Sequence, residues 1–204
     1  MHKLYFKYGT MNSSKTSNLM MVVHNYRSQG KNVIVLKPEL DSRTTEIHSR
    51  ALGNLKVDHI INQNVDFISF DMSNINNKID CILVDEAQFL SKTNVKALRL
   101  LTHDCPVICY GLKTNYMGEL FEGSKALLEL SDSIEEIKTI CSNCTTKKAT
   151  INARYIVDEY NKDQIITEGN EIDVGSEDKY KVLCWSCWNS LTTKRNKFRN
   201  TLLV

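Results

Sequence analysis

Hydrophobic and polar positions in the first half of the chain alternate between short apolar runs and amphipathic stretches. Short apolar segments predict strands in HKLYFKY (2–8), NVIVLK (32–37), VDHII (57–61), DCILVDE (80–86) and PVICYGL (106–112), and the run in DCILVDE is continuous. Apolar residues recur at helical spacing from Leu19 to Tyr26, before Gly30, and from Val95 to Leu101. Strands that alternate with helices predict an α/β fold, in which a mainly parallel sheet is covered by helices on both faces.

The pattern changes from Cys141 onward, where segments are short, cysteines are paired and residues 158–180 offer little to bury. The polar stretch 62–79 fits a helix and its connections. We predict an α/β domain over 1–140, a smaller second unit over 141–191 and a basic tail over 192–204.

Charge and composition exclude several classes of protein. The 26 basic and 24 acidic side chains give a net charge of +2, and the surplus lies in the tail segment TTKRNKFRN, which reads as a solvated end. We expect a cytoplasmic protein with no membrane partner, because there is neither a secretory signal nor a long apolar run. Disulfides are disfavoured in that compartment, so clustered thiols point to metal.

The segment GTMNSSKT (9–16) matches the phosphate-binding pattern G-x-x-x-x-G-K-[ST], except that Ser14 replaces the second glycine. It follows a predicted strand and opens a predicted helix, so its backbone N–H groups would converge on a phosphate. Lys15 would neutralise the outer phosphates and Thr16 would ligate Mg²⁺. The predicted ATP-binding residues are Gly9, Thr10, Met11, Asn12, Ser13, Ser14, Lys15 and Thr16.

Charged residues at the ends of two other strands fit the same site. Asp85 follows the buried run DCILV and would serve Mg²⁺, while Glu86 could accept a proton from an attacking hydroxyl. Alternatively, the two carboxylates only cap the strand. In KPELDSR (37–43), Arg43 could reach a transferring phosphate in a bidentate manner, or could pair with Asp41 at the surface.

Two C-x-x-C pairs predict a closed zinc site. Each pair points two thiolates at one spot, and two pairs complete a tetrahedral structural site. The ligands are Cys141, Cys144, Cys184 and Cys187. A redox role is the alternative, but it needs only one pair. The other three cysteines lie in apolar contexts and are expected to be buried hydrophobes.

Taken together, these motifs resemble the thymidine kinases of the cellular, zinc-containing type. The resemblance runs from about Leu4 to Cys187 and rests on the zinc pairs and on GTMNSSKT, KPELDSR, VDEAQFL, CYGLKTNYMGELFEGS and VGSEDKY, in this order. It implies a RecA-like α/β core with a zinc-bearing lid. It also implies transfer of the γ-phosphoryl group of ATP to the 5′-hydroxyl of thymidine or deoxyuridine.

The resemblance also implies roles for single residues. Glu86 matches the catalytic base, Asp85 the Mg²⁺ ligand, and Arg43 an arginine near the transferring phosphate. Residues 161–179 match a lasso that contacts the base through backbone groups, anchored by zinc. The positions that match the nucleoside pocket are Met11, Phe89, Leu112, Tyr116, Phe121, Val174, Gly175 and Tyr180. A homotetramer and feedback inhibition by thymidine triphosphate are implied as well.

Ser14 departs from the family pattern, and two rival interpretations follow from the sequence. A left-handed residue other than glycine costs about 1 kcal/mol, which a tight loop can absorb, so we expect a working variant.

One rival interpretation is a non-catalytic ATP-binding protein whose zinc ribbon contacts nucleic acid. Such proteins stack bases on aromatic residues that lie among basic ones, and here Phe198 is the one aromatic residue in the basic tail. We therefore expect no nucleic-acid partner. The other rival, a kinase that accepts deoxycytidine, ranks low.

Overall fold

The computed structural model describes residues 1–39, 46–62, 78–157, 163–169 and 179–192. Its strands and helices follow the alternation that the apolar runs predict. In chain order they are β1 (Leu4–Tyr8), α1 (Lys15–Ser28), β2 (Val33–Pro38), β3 (Glu46–Ser49), β4 (Gly53–Lys56), β5 (His59–Ile61), β6 (Cys81–Val84), a 3-10 turn (Ala87–Phe89), α2 (Lys92–Leu101), β7 (Val107–Gly111), α3 (Glu122–Leu130), β8 (Ser133–Glu136), β9 (Ile151–Val157), β10 (Asp163–Ile166), β11 (Tyr180–Leu183) and α4 (185–192).

Six strands form the central sheet in the order β5-β2-β6-β7-β1-β8. Every neighbouring pair is parallel, which confirms the predicted α/β class and mainly parallel sheet. All four residues of β6, CILV, are buried, as expected for a strand covered on both faces. Because the strands are parallel, the segments that follow β1, β6 and β7 all begin at the same side of the sheet, where the carboxyl ends of the strands lie.

Helices cover both faces of this sheet. On one face, Leu19 and Val23 of α1 pack with Val35, Leu83 and neighbouring strand residues. On the other face, apolar residues of α2 and α3 pack against alternate residues of the same strands. The core of this part of the chain is therefore two apolar layers separated by the sheet.

Several elements of the structure were not predicted. Strands β3 and β4 pair as an antiparallel hairpin, with Glu46 opposite Lys56 and Ser49 opposite Gly53. Helix α3 and edge strand β8 follow β7 and complete the sheet beside β1. The helix expected within 62–79 lies largely outside the described residues, which omit 63–77.

The chain separates into two compact units. The first comprises Met1–Tyr8, Ser14–Lys113 and Phe121–Ile137, and the second comprises Gly9–Ser13, Thr114–Leu120 and Lys138–Val204. Within its described residues the second unit contains a three-stranded antiparallel sheet in the order β10-β9-β11.

The second unit has a small core of its own, which differs from the expectation that residues 158–180 bury little. Ile165 of β10 is buried with Ala153, Leu183 and two cysteines, and Trp188 packs against them. This β-strand carries the two adjacent isoleucines of an otherwise polar segment, and one of them supplies the core contact.

Within the described residues, no helix has both the length and the apolar composition needed to cross a bilayer.

Candidate active site

The segment 9–16 connects β1 to α1 through a turn with two left-handed residues other than glycine. Asn12 has a φ of 58°, and Ser14 has φ 64° and ψ 26° at the N-cap of α1. The Ser14 side chain makes no capping hydrogen bond. Ser14 thus has the positive φ for which glycine is normally chosen, and its strain has no local compensation from a cap.

Two side chains of this segment are suited to a phosphate. Ser13 is only 5% exposed, and its hydroxyl has no hydrogen-bond partner among the described residues. Lys15 is 7% exposed, and its burial lowers the pKa of the ammonium group, while the charges of Glu86 and Asp85 act in the opposite direction. An orphaned buried hydroxyl and a buried cation are features that an anionic ligand would satisfy.

Thr16 and Asp85 come together as the sequence predicts. The Thr16 hydroxyl lies 3.4 Å from Asp85 Oδ2, and Asp85 is 3% exposed at the end of β6. Burial, reinforced by the charge of Glu86, raises the pKa of Asp85 to about 7, and the charges of Lys15 and Lys37 partly oppose this shift. A hydroxyl and a carboxylate are oxygen ligands of the kind that Mg²⁺ takes, so this pair fits a bound cation.

Glu86 follows Asp85 and is held in a left-handed conformation, with φ 50° and ψ 37°. Its Oε2 accepts a hydrogen bond of 2.5 Å from Nε2 of Gln88. The Oε1 of Gln88 in turn accepts a hydrogen bond of 2.9 Å from the backbone N–H of Leu112, just beyond β7. The half-buried Glu86 carboxylate is therefore linked through one side chain to the next strand of the sheet.

Three of the predicted nucleoside-pocket residues belong to the first unit. The rings of Phe89 and Phe121 meet edge to face, with centroids 5.9 Å apart and an interplanar angle of 75°. Leu112 is partly buried at the end of β7, where its N–H contacts Gln88. These apolar side chains therefore flank the turn that carries Glu86.

Three others belong to the second unit. Tyr116 is buried, and the guanidinium of Arg154 lies 5.6 Å from its ring centroid. Tyr180 of β11 pairs with Arg154 of β9. The backbone N–H of Met11 donates a 2.7 Å hydrogen bond to Oδ1 of Asn152, which is also on β9.

The four predicted zinc ligands form one cluster. The Sγ atoms of Cys141, Cys144, Cys184 and Cys187 all lie within 4.8 Å of one another. Hydrogen bonds from the side chain and backbone of Thr146 lower the pKa of Cys144 to about 5, and Asn143 Nδ2 lies 3.2 Å from Cys187 Sγ. Four thiols at this spacing could bind zinc as thiolates, which is the ligand form.

Some predicted residues lie outside the described ranges, and other residues gain importance from the structure. Arg43, Val174 and Gly175 are outside. Sequence reasoning missed Gln88 and the buried Lys37, whose charge acts on Asp85. The sequence offered one signal for each of them: Lys37 ends the apolar run NVIVL, and Gln88 is a polar residue between Ala87 and Phe89.

Comparison with known proteins shows that this chain is similar to thymidine kinases. A family model described as thymidine kinase matches residues 2–188. A thymidine kinase from Streptococcus agalactiae serotype Ia is 42% identical over 187 residues, covering 90% of this chain and 95% of the relative. Thymidine kinases from Streptococcus pyogenes serotypes M6 and M3 are 42% and 41% identical over the same length and coverage.

Proposed function

The chain belongs to the thymidine kinase family, and from this premise we propose that it transfers the γ-phosphoryl group of ATP to the 5′-hydroxyl of thymidine. The products are thymidine monophosphate and ADP, and deoxyuridine is a second acceptor. The observation that carries the proposal is the convergence of Lys15, Thr16, Asp85 and Glu86 in one unit. These residues supply a cation, two cation ligands and a proton acceptor.

We propose that residues 9–16 bind the phosphates of ATP. The buried Ser13 hydroxyl and the buried Lys15 ammonium support this assignment. Thr16 and Asp85 would hold Mg²⁺, and their 3.4 Å contact supports it. When bound, Mg²⁺ neutralises part of the charge that develops on the transferring phosphoryl group.

Glu86 is proposed as the base that orients and deprotonates the 5′-hydroxyl. Lys15, together with Arg43, would stabilise charge on the moving phosphoryl group. Catalysis of this kind depends mainly on positioning and on fixed charges, since there is little covalent chemistry for the protein to perform. The buried Lys15 and the fixed carboxylate of Glu86 support that division of roles.

The thymine ring is proposed to bind among apolar side chains and under a lasso. The edge-to-face contact of Phe89 and Phe121 and the buried Tyr116 support an aromatic enclosure. The full proposed set is Met11, Phe89, Leu112, Tyr116, Phe121, Val174, Gly175 and Tyr180. In this proposal the nucleotide-binding domain spans 1–140, the lid 141–191 and the tail 192–204.

A structural Zn²⁺ on the four cysteines is proposed to anchor both ends of the lid. The cysteines flank β9 and β10, so one ion would join segments about 40 residues apart along the chain and reduce the entropy cost of closing that excursion. A four-thiolate set leaves no position for substrate.

Regulation and assembly follow the family pattern in this proposal. Thymidine triphosphate would inhibit by placing its base in the thymidine pocket, and the protein would act as a homotetramer in the cytoplasm. An apolar groove of about 550 Å³ between α1 and the β3–β4 hairpin, lined in part by the exposed Met21 and Leu52, supports association with another subunit. Sedimentation at micromolar concentration would test the tetramer.

A phosphoryl-transfer assay tests the proposed activity directly. Zinc-loaded protein is given Mg-ATP with thymidine, deoxyuridine or deoxycytidine, and product is expected from the first two only. Glu86→Gln should lower turnover by about 100-fold or more while ATP binding persists. The matched control is Glu129→Gln, which removes an exposed charge paired with Lys92 and should leave turnover unchanged.

Two outcomes would contradict the proposal. ATP binding without transfer to any nucleoside would exclude the kinase reaction. Full turnover of Glu86→Gln would keep the reaction but exclude Glu86 as the base.

A further inference from the structure

Gln88 has a buried side-chain amide, and both the oxygen and the nitrogen of this amide make a hydrogen bond. It is 2% exposed, its Nε2 lies 2.5 Å from Glu86 Oε2, and its Oε1 lies 2.9 Å from the Leu112 backbone nitrogen. A backbone N–H can only donate, so Oε1 must face Leu112. The donating Nε2 must therefore face the carboxylate, and the orientation of the amide is fixed by chemistry.

The backbone around Gln88 is packed too closely to shift. A Cβ added at Gly111 would lie 2.8 Å from Gln88 Oε1 and 3.0 Å from its backbone nitrogen. On the other side, a Cβ at Gly123 of α3 would lie 2.5 Å from the carbonyl oxygen of Ala87 and 2.9 Å from that of Gln88. Two glycines thus let β7 and α3 clamp the turn from both sides.

Glu86 needs such support because its own backbone is strained. A φ of 50° is unfavourable for a residue with a side chain, and it persists only where the surroundings enforce it. If the backbone relaxed, the carboxylate would move with it. Among the described residues, it is the Gln88 amide that holds this carboxylate by donating a hydrogen bond.

We infer that Gln88 is a positioning residue, which fixes the Glu86 carboxylate to the end of β7 so that its other oxygen accepts the proton of the acceptor hydroxyl. This inference rests on the proposed function, in which Glu86 is the base. A neutral amide is suited to the task because it donates a hydrogen bond to Oε2 without titrating. It occupies one oxygen and leaves Oε1 available.

The test compares Gln88→Met, which keeps the length of the side chain and removes both hydrogen bonds, with the wild type. The kcat should fall by about 10- to 100-fold, while KM for thymidine and for Mg-ATP should stay within about threefold. In the Glu86→Gln background the same change should cost less than about twofold, because no base is left to position. A loss of the same factor in both backgrounds would overturn the inference.

Two further variants separate positioning from general destabilisation. Asn94→Leu removes another buried amide of the same unit, one that caps α2 through Ser91, and should lower thermal stability without lowering kcat. Gln88→Glu keeps an acceptor for Leu112 but replaces the donor by a carboxylate that repels Glu86. Its kcat should fall as that of Gln88→Met does. If the methionine variant fails to fold, Gln88→Glu tests the positioning role in its place. Wild-type kcat in either Gln88 variant would refute the role.

A crystal structure of the folded Gln88 variant distinguishes failure of this inference from failure of the proposed function. Glu86 is expected to leave the left-handed region or to move its carboxylate. An unchanged Glu86 would refute positioning even if the wild type proved to be an active kinase. A displaced Glu86 in a protein that phosphorylates no nucleoside would support positioning and overturn only the proposed reaction.

Discussion

Replacing Ser14 with glycine should stabilise the protein, because Ser14 pays for a left-handed backbone without any compensating contact from its side chain. Its φ and ψ are 64° and 26°, its side chain is exposed, and it makes no capping hydrogen bond to α1. Glycine adopts these angles without a steric penalty. The substitution therefore removes strain and deletes no described side-chain interaction.

The size of the effect is a difference between two opposing terms. A left-handed conformation costs a residue with a Cβ about 1–2 kcal/mol. Relief of this strain is partly offset, because glycine raises the conformational entropy of the unfolded chain and so lowers the free energy of unfolding by about 0.4–1 kcal/mol. The free energy of unfolding should thus rise by about 0.5–1 kcal/mol, which for a chain of this size corresponds to about 1–4 °C in Tm.

Thermal unfolding of a short series of variants measures this gain. Asn12→Gly should gain less than Ser14→Gly, because asparagine tolerates its φ of 58° better than serine does. Ser28→Gly, at the end of α1, is the matched control and should lose about 0.5–1 kcal/mol. Turnover of Ser14→Gly should stay within about threefold of the wild type, because the loop already has the conformation that glycine would adopt.

Two results would refute this reasoning. If Ser14→Gly were no more stable than Ser28→Gly, the left-handed backbone would not be a source of strain. If its turnover rose by orders of magnitude, Ser14 would be a handicap at the proposed phosphate site rather than a tolerated variant.

Three other perturbations have definite expected outcomes. Gly123→Ala should lower the free energy of unfolding by about 2 kcal/mol in a denaturant titration, because the new Cβ meets the Ala87 carbonyl oxygen at 2.5 Å; equal stability would contradict that packing. Asp132 accepts hydrogen bonds from the Arg99 side chain, which hold its pKa below the usual value. Its contribution to stability is present above about pH 4 and is lost as pH falls through the lower folded pKa, so Asp132→Asn should flatten the acid side of a Tm–pH curve. Cys184→Ser should lower bound zinc, measured by elemental analysis, together with the Tm; full zinc occupancy would exclude the cluster as the site.

The sequence predicted the central sheet well where burial is strongest. A run such as CILV, bounded by acidic residues, predicts a short strand covered on both sides, and it is one. The hairpin β3–β4 was missed because four-residue strands are too short to show a period, and its second strand, GNLK, has no buried residue. The edge strand SIEE likewise carries two glutamates, which are typical of an exposed surface.

Some residues of the candidate site could likewise be predicted from the sequence, and others could not. Lys15, Thr16 and Asp85 were predictable, because loop spacing and strand ends determine where such side chains meet. Gln88 and Asn152 were not, since their partners lie 24 and 141 residues away along the chain. A supporting residue of this kind is recognised by its contacts, and contacts between distant segments have no local pattern.

The hydrogen bond from Met11 to Asn152 limits how the chain can be cut or recombined. A fragment that stops before β9 keeps all of GTMNSSKT but loses the oxygen that accepts the Met11 N–H. Such a fragment loses a contact that holds the backbone of this segment, so we expect it to bind nucleotide more weakly than the full chain. A chimera that takes its cysteine-rich half from another kinase would need an acceptor at position 152 to keep the hydrogen bond to Met11.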